Sequence, residues 1–252
     1  MSAVAVLDAE RIKLSTTKSP LWTAGVVAVL SLGLAALQGA TAYDYTALPP
    51  EKAAIGVAVF GVPVLMILAS MSVTSEYRTS TIRTTFMATP NRALVLVAKA
   101  VVAAIVSGVY TALMVIASII VARMFAEPFV GGELSLSQAS SWRAAGAISL
   151  YAALAAVLGV GVGALVRHAA AAVAVLLLWP LLLEPVIGNL PNAGTEIGPY
   201  LPFVNVFLFL GVRWLYPSYV MHWGVLGSLV FFTVIVAVAF VAAIVVVNRR
   251  DA

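Results

Sequence analysis

Cysteine is absent from this chain of 252 residues, and histidine occurs only twice. No disulfide, thiolate metal site or cysteine nucleophile is available, so the redox compartment leaves no mark on the sequence. His168 and His222 are expected on opposite faces of a membrane, which argues against a two-histidine metal site. Charge is scarce too: 10% of residues are charged, against about 25% in a soluble domain. A GxxxxGK[ST] phosphate loop is missing, because none of the lysines (Lys13, Lys18, Lys52, Lys99) follows a glycine. The chain is therefore not expected to bind ATP through that motif or to be an enzyme in its own right. Its net charge of +4 would point to nucleic acid in a soluble protein. In a chain this apolar, the placement of basic residues reads first as membrane topology, and no nucleic-acid partner is expected.

What the sequence has in abundance is apolar length, with 63% hydrophobic residues. A spanning helix needs about 20 of them in succession. Six segments qualify: residues 21–39, 53–73, 100–122, 144–166, 169–187 and 223–247. Pro63 and Pro180 predict kinks, which a membrane bundle tolerates. Residues 199–212 are apolar but too short to span, and read as a re-entrant or interfacial segment. Gly159, Gly161 and Gly163 sit inside the fourth span and read as close helix packing.

With six spans both termini share one side. That side holds ten of the 14 lysines and arginines: Arg11, Lys13, Lys18, Arg78, Arg83, Arg92, Lys99, Arg167, Arg249 and Arg250. The positive-inside rule puts it in the cytoplasm. A seventh span would weaken this bias. No cleavable leader is expected, since Asp8, Glu10 and Arg11 precede the first apolar run. The expectation is a single transmembrane domain over residues 1–252, all-α, with an extracytoplasmic lid at residues 189–222. The lid carries Tyr200, Phe203, Trp214, Tyr216 and Tyr219, residue types that favour the membrane interface.

Ionisable groups are nearly missing from the spans, which disfavours a proton-coupled carrier. Lys99, at the start of the third span, is expected to snorkel to the headgroups. Glu184, in VLLLWPLLLEPVIGN, lies roughly 24 Å of helix beyond His168, near the outer edge of the hydrocarbon. It reads either as an outer gate or substrate contact, or as an interfacial carboxylate bonded to a neighbouring helix.

One polar island interrupts the apolar pattern: SEYRTSTIRTTFMATPNR, residues 75–92. Read as a helix over residues 76–88, it puts Ile82 and Phe86 at i and i+4 on one face. Glu76 stands near the positive end of the helix dipole, and Pro90 ends the segment. Its β-branched threonines leave no broad apolar face for lipid, so docking onto a soluble partner is the better reading.

Here the sequence resembles the membrane (permease) subunits of type-2 ABC exporters. In that family the cytoplasmic loop between spans two and three runs from a Glu through a basic residue and a Gly-Thr pair to a short amphipathic helix. A Pro or Ser with Arg follows, then a Lys entering the third span. Glu76, Arg78, Ser80-Thr81, Ile82-Arg83, Pro90, Arg92 and Lys99 stand in matching order, with Ser80 where Gly is common. LDAERIKLSTTKSPLW, residues 7–22, looks like the amphipathic connecting helix before the first span, and residues 1–20 are expected to form that cytoplasmic helix. The six spans, with a re-entrant outer segment before the last, fit as well.

The resemblance implies that residues 75–92 carry a coupling helix seated on a separate cytoplasmic ABC ATPase subunit, present in two copies with ATP-Mg. Glu76, Arg78, Thr81, Ile82, Arg83 and Phe86 would make that contact, with Ile82 and Phe86 as the apolar knob. A second permease chain, identical or similar, would complete the path in a bacterial plasma membrane among its lipids. The runners-up are a gradient-driven secondary transporter and a non-transporting membrane anchor for a cytoplasmic partner. The spans carry few hydrogen-bonding groups, so an apolar or amphipathic cargo is expected.

Overall fold

The computed structural model describes residues 2–42, 48–132, 134–212, 216–217 and 219–249. Trp214 and Arg250 lie outside them. Among the described residues six helices are long and apolar enough to cross a membrane: Ser19–Ala40, Val57–Arg78, Arg92–Phe125, Ala139–Val166, Ala169–Gly188 and Val225–Arg249. They match the six expected segments, and no strand occurs among the described residues. The third, at 34 residues, is about 51 Å long. That exceeds a hydrocarbon core of about 30 Å, so its ends stand beyond the apolar layer.

The second and fourth spans are mostly buried, whereas less than a quarter of the first, fifth and sixth is. Small residues on the fourth span explain why it is the centre. A side chain at Gly159 would run into the Met66 carbonyl of the second span, and one at Gly163 would meet Ser70. Gly161 faces the backbone of Phe240 on the sixth. Such positions let two backbones touch where lipid supplies no hydrophobic drive for association.

The proline expectations resolve into widened turns. The Val62 N–H donates to the Val57 carbonyl five residues back, just before Pro63. The Glu184 N–H donates to the Trp179 carbonyl in the same way, just before Pro185. Proline has no N–H for the next bond and crowds the carbonyl four residues behind; a five-residue repeat accommodates both defects. Pro180 lies inside the second of these turns.

Two ends of the bundle are distinct. At the basic end, Arg92 donates to the Val247 carbonyl of the sixth span at 3.1 Å. The Arg167 guanidinium lies 4.9 Å from the centre of the Tyr77 ring. The N-terminal helix, the connections after spans two and four, and the close of span six therefore meet at one end, as an even number of spans requires. At the other end, Arg143 donates to the Phe209 carbonyl at 3.4 Å.

The segment read as re-entrant contains a helix, Pro202–Leu210. At nine residues it is about 13 Å long, too short to span. Phe203 packs edge-on against Tyr151 and Phe232, fixing this helix to spans four and six. Of the expected lid aromatics, Phe203 is thus a core residue, while Tyr200 is exposed.

Candidate functional site

The N-terminal helix, Ala3–Thr16, starts at Ser2, whose hydroxyl accepts the Ala5 N–H. Its expected amphipathic character takes an unusual form. The buried residues are Val6 and Glu10, one turn apart, while Val4 and Ile12 are exposed. The inward stripe thus centres on a carboxylate. The expected continuous connecting helix also breaks after Thr16, and a new helix begins at Ser19 with Pro20 in its first turn.

Glu10 faces inward because Lys99 lies beneath it. Lys99 does not snorkel: it is 3% exposed, and its ammonium donates to Glu10 Oε2 and Glu76 Oε1, each at 2.7 Å, and to the Ser72 carbonyl at 3.2 Å. Three acceptors satisfy its three hydrogens. Lys13 closes a ring on the rim, 2.7 Å from Glu10 Oε1 and 2.8 Å from Glu76 Oε1. Two carboxylates and two ammoniums thereby alternate, with no net charge left in a place where an unpaired charge costs several kcal/mol.

Charge on Lys13, outside the spans, responds to this ring. Burial alone would lower its proton affinity, but hydrogen bonds and attraction from Glu10 and Glu76 outweigh that and hold it above its ordinary value of 10.5.

Residues 75–92 differ from a continuous helix. Glu76 and Arg78 belong to the last turn of the second span, and a new helix runs from Ile82 to Ala88. The break falls at Ser80, whose φ is +59°, a left-handed backbone that glycine adopts at little cost. It is the position where the resembled family has Gly.

The expected contact residues separate into two groups. Glu76 is turned into the ring. Ile82 is 4% exposed, and Phe86 packs on the cluster of Val6, Val95 and Ala98 with the Arg92 guanidinium 5.2 Å from its ring centre. The apolar pair therefore fastens the loop to the N-terminal helix and third span, instead of pointing outward as a knob. Arg78, Thr81 and Arg83 are exposed, and so are Thr84 and Met87. The face turned away from the bundle is thus basic and hydroxylated, with one flexible apolar tip.

Glu184, at the opposite end, is fully buried. Its oxygens accept the Phe203 N–H at 2.9 and 3.2 Å, the Val204 N–H at 3.2 Å and the Trp179 indole N–H at 2.8 Å. A carboxylate at the start of Pro202–Leu210 satisfies N–H groups that have no partner within that helix. Asn205 adds a second tie, donating to the Pro199 and Leu201 carbonyls and accepting from the Trp223 indole at 2.7 Å. Tyr216 donates to the Pro180 carbonyl at 3.0 Å; burial pushes its proton affinity up, so the hydroxyl stays a donor.

Residues 14–252 match the family described as "Protein of unknown function (DUF2705)". The chain belongs to this family. No curated protein matches it. The match takes in Glu76, Lys99 and Glu184 but begins after Glu10 and Lys13, so half of the ring lies before it.

Sequence reasoning missed the ring. The signal was there: a lone lysine entering an apolar span requires a partner, and Glu10 stands one turn from Val6 on the face that must bury something. Neither snorkelling nor a place in the loop pattern gives Lys99 a partner, so the two were not connected.

Proposed function

We propose that this chain is the membrane subunit of an ATP-driven ABC exporter, forming half of a translocation path and receiving work from a separate cytoplasmic ATPase through residues 78–88. One observation carries the reading: the Ile82–Ala88 helix is riveted inward by Ile82 and Phe86 and turns Arg83, Thr84 and Met87 outward. A force on that outer face passes through the Glu10–Lys99–Glu76 ring into the second and third spans together. The left-handed backbone at Ser80 adds support, since the resembled loop has Gly there. Basic residues gather at the same end, which the positive-inside rule assigns to the cytoplasm.

On this reading the docking contact is made by Arg83 and Met87, with Phe86 a brace for the loop. The helix at Pro202–Leu210 is the re-entrant segment, and a second permease chain covers part of the exposed spans. Glu184 is a brace of the outer end, with its oxygens already occupied.

Affinity purification from the native host tests this. The expected result is a copurified ATPase that the lone chain lacks, and its loss on Arg83→Glu with membrane insertion intact. Full transport by the isolated chain in liposomes, without any ATPase, would overturn the proposal.

A further inference from the structure

The facing sides of the second and third spans do not close on each other at the basic end. A cleft of about 550 Å³ separates them, roofed by the N-terminal helix. This is within the range of small-ligand sites, about 300–1,000 Å³. Its lining is sorted by depth. At the mouth stand Arg78, Ser75, Thr81 and Thr17; deeper come Leu65, Leu68, Val102 and Val106.

The distance from Arg78 to Leu65 along the second span is roughly 20 Å. One leaflet of the hydrocarbon core is about half of 30 Å, so the cleft runs from headgroup level through one leaflet. Met71 and Val106 line it and are 37% and 42% exposed, which opens the apolar part sideways. The charges at the mouth do not cancel. Glu10 and Glu76 are each held by Lys13 and Lys99 in the ring, whereas Arg78 is exposed and contributes one positive charge in excess.

We infer that the cleft is a binding site for an anionic amphiphile, with the headgroup at Arg78 and the surrounding hydroxyls and the acyl chain between Leu68 and Val106. The chemistry is shared by anionic phospholipids of the bilayer and free single-chain anions. A basic pocket between spans at this level is suited to such headgroups, and the sideways opening admits a chain without crossing the bilayer. The inference concerns a resident ligand and stands apart from the exporter proposal.

Native mass spectrometry of the purified full chain tests it, after incubation with an equal mixture of phosphatidylglycerol and phosphatidylcholine. The expected result is retention of phosphatidylglycerol by about fivefold, the worth of one cation beside an anionic headgroup. Arg78→Gln should bring the ratio to parity, while Arg249→Gln, at the same end but outside the cleft, should leave it unchanged. Val106→Trp should reduce retention of both lipids by filling the apolar part. Displacement by dodecyl phosphate would identify a free amphiphile as a sufficient ligand; its failure to displace would identify the bilayer lipid. Equal retention of the two lipids, equal effects of the two arginine changes, or displacement by inorganic phosphate alone would overturn the inference. No ATPase is present in the measurement, so its outcome is independent of the transport reading.

Discussion

Lys99 and Glu10 meet at 2.7 Å, both buried, across 89 residues of sequence. That contact fastens the N-terminal helix to the start of the third span. Lys99→Ala should destabilise the chain by about 3–5 kcal/mol, because it leaves buried carboxylates short of a partner. Lys13→Ala, at the half-exposed rim, should cost under about 1 kcal/mol. Thermal unfolding of the two variants in the same detergent checks the ratio; equal losses would mean that the ring is not closed around Lys99.

The ring also predicts a response to alkali. Because the folded chain holds the Lys13 proton more tightly than the unfolded one, its stabilising effect is complete below the ordinary value of 10.5 and is lost as pH rises through the higher folded value. A nitroxide on Asp8→Cys should become more mobile on that side only. Lys13→Met should abolish the step; a step of unchanged size would assign it to another group.

At the opposite end, Glu184→Gln should loosen the Pro202–Leu210 helix without disturbing insertion. A carboxamide offers one accepting oxygen in place of two, and leaves at least one N–H without a partner at a cost of about 1–3 kcal/mol. Limited proteolysis around residues 198–212 should accelerate, and the emission of Trp179 should shift. Unchanged proteolysis would show that the cap does not hold the segment.

Backbone tests address the loop and the bundle centre. Ser80→Gly should be neutral or stabilising, whereas Ser80→Val should cost about 1–2 kcal/mol for its left-handed backbone. Gly159→Leu should cost at least about 1–3 kcal/mol by forcing apart the second and fourth spans. Gly146, with open space around its Cα, supplies the contrast: Gly146→Ala should gain up to about 1 kcal/mol in helix propensity. Matching effects at Gly146 and Gly159 would refute the packing account.

The spans were legible because length and apolarity are one-dimensional properties, and the pairing of ends was legible because charge is counted along the chain. The bonding of Glu184 to a neighbouring helix was one of its two readings. The direction of Ile82 and Phe86 was not legible. Helical spacing says that two residues share a face, but whether the face turns inward depends on the N-terminal helix covering it. Glu10 was hidden for a similar reason: its partner belongs to a span that follows it by most of a hundred residues.

That separation imposes an order of events during synthesis. Glu10 leaves the ribosome 89 residues before Lys99, a delay of roughly 5 to 20 seconds at ordinary rates of elongation. Through most of that interval the N-terminal helix has neither Lys99 nor Glu76 to hold it, and two spans must enter the membrane before its seat exists. Docking of the Ala3–Thr16 helix is therefore a late step of assembly, and a chain stalled before residue 99 carries that helix loose.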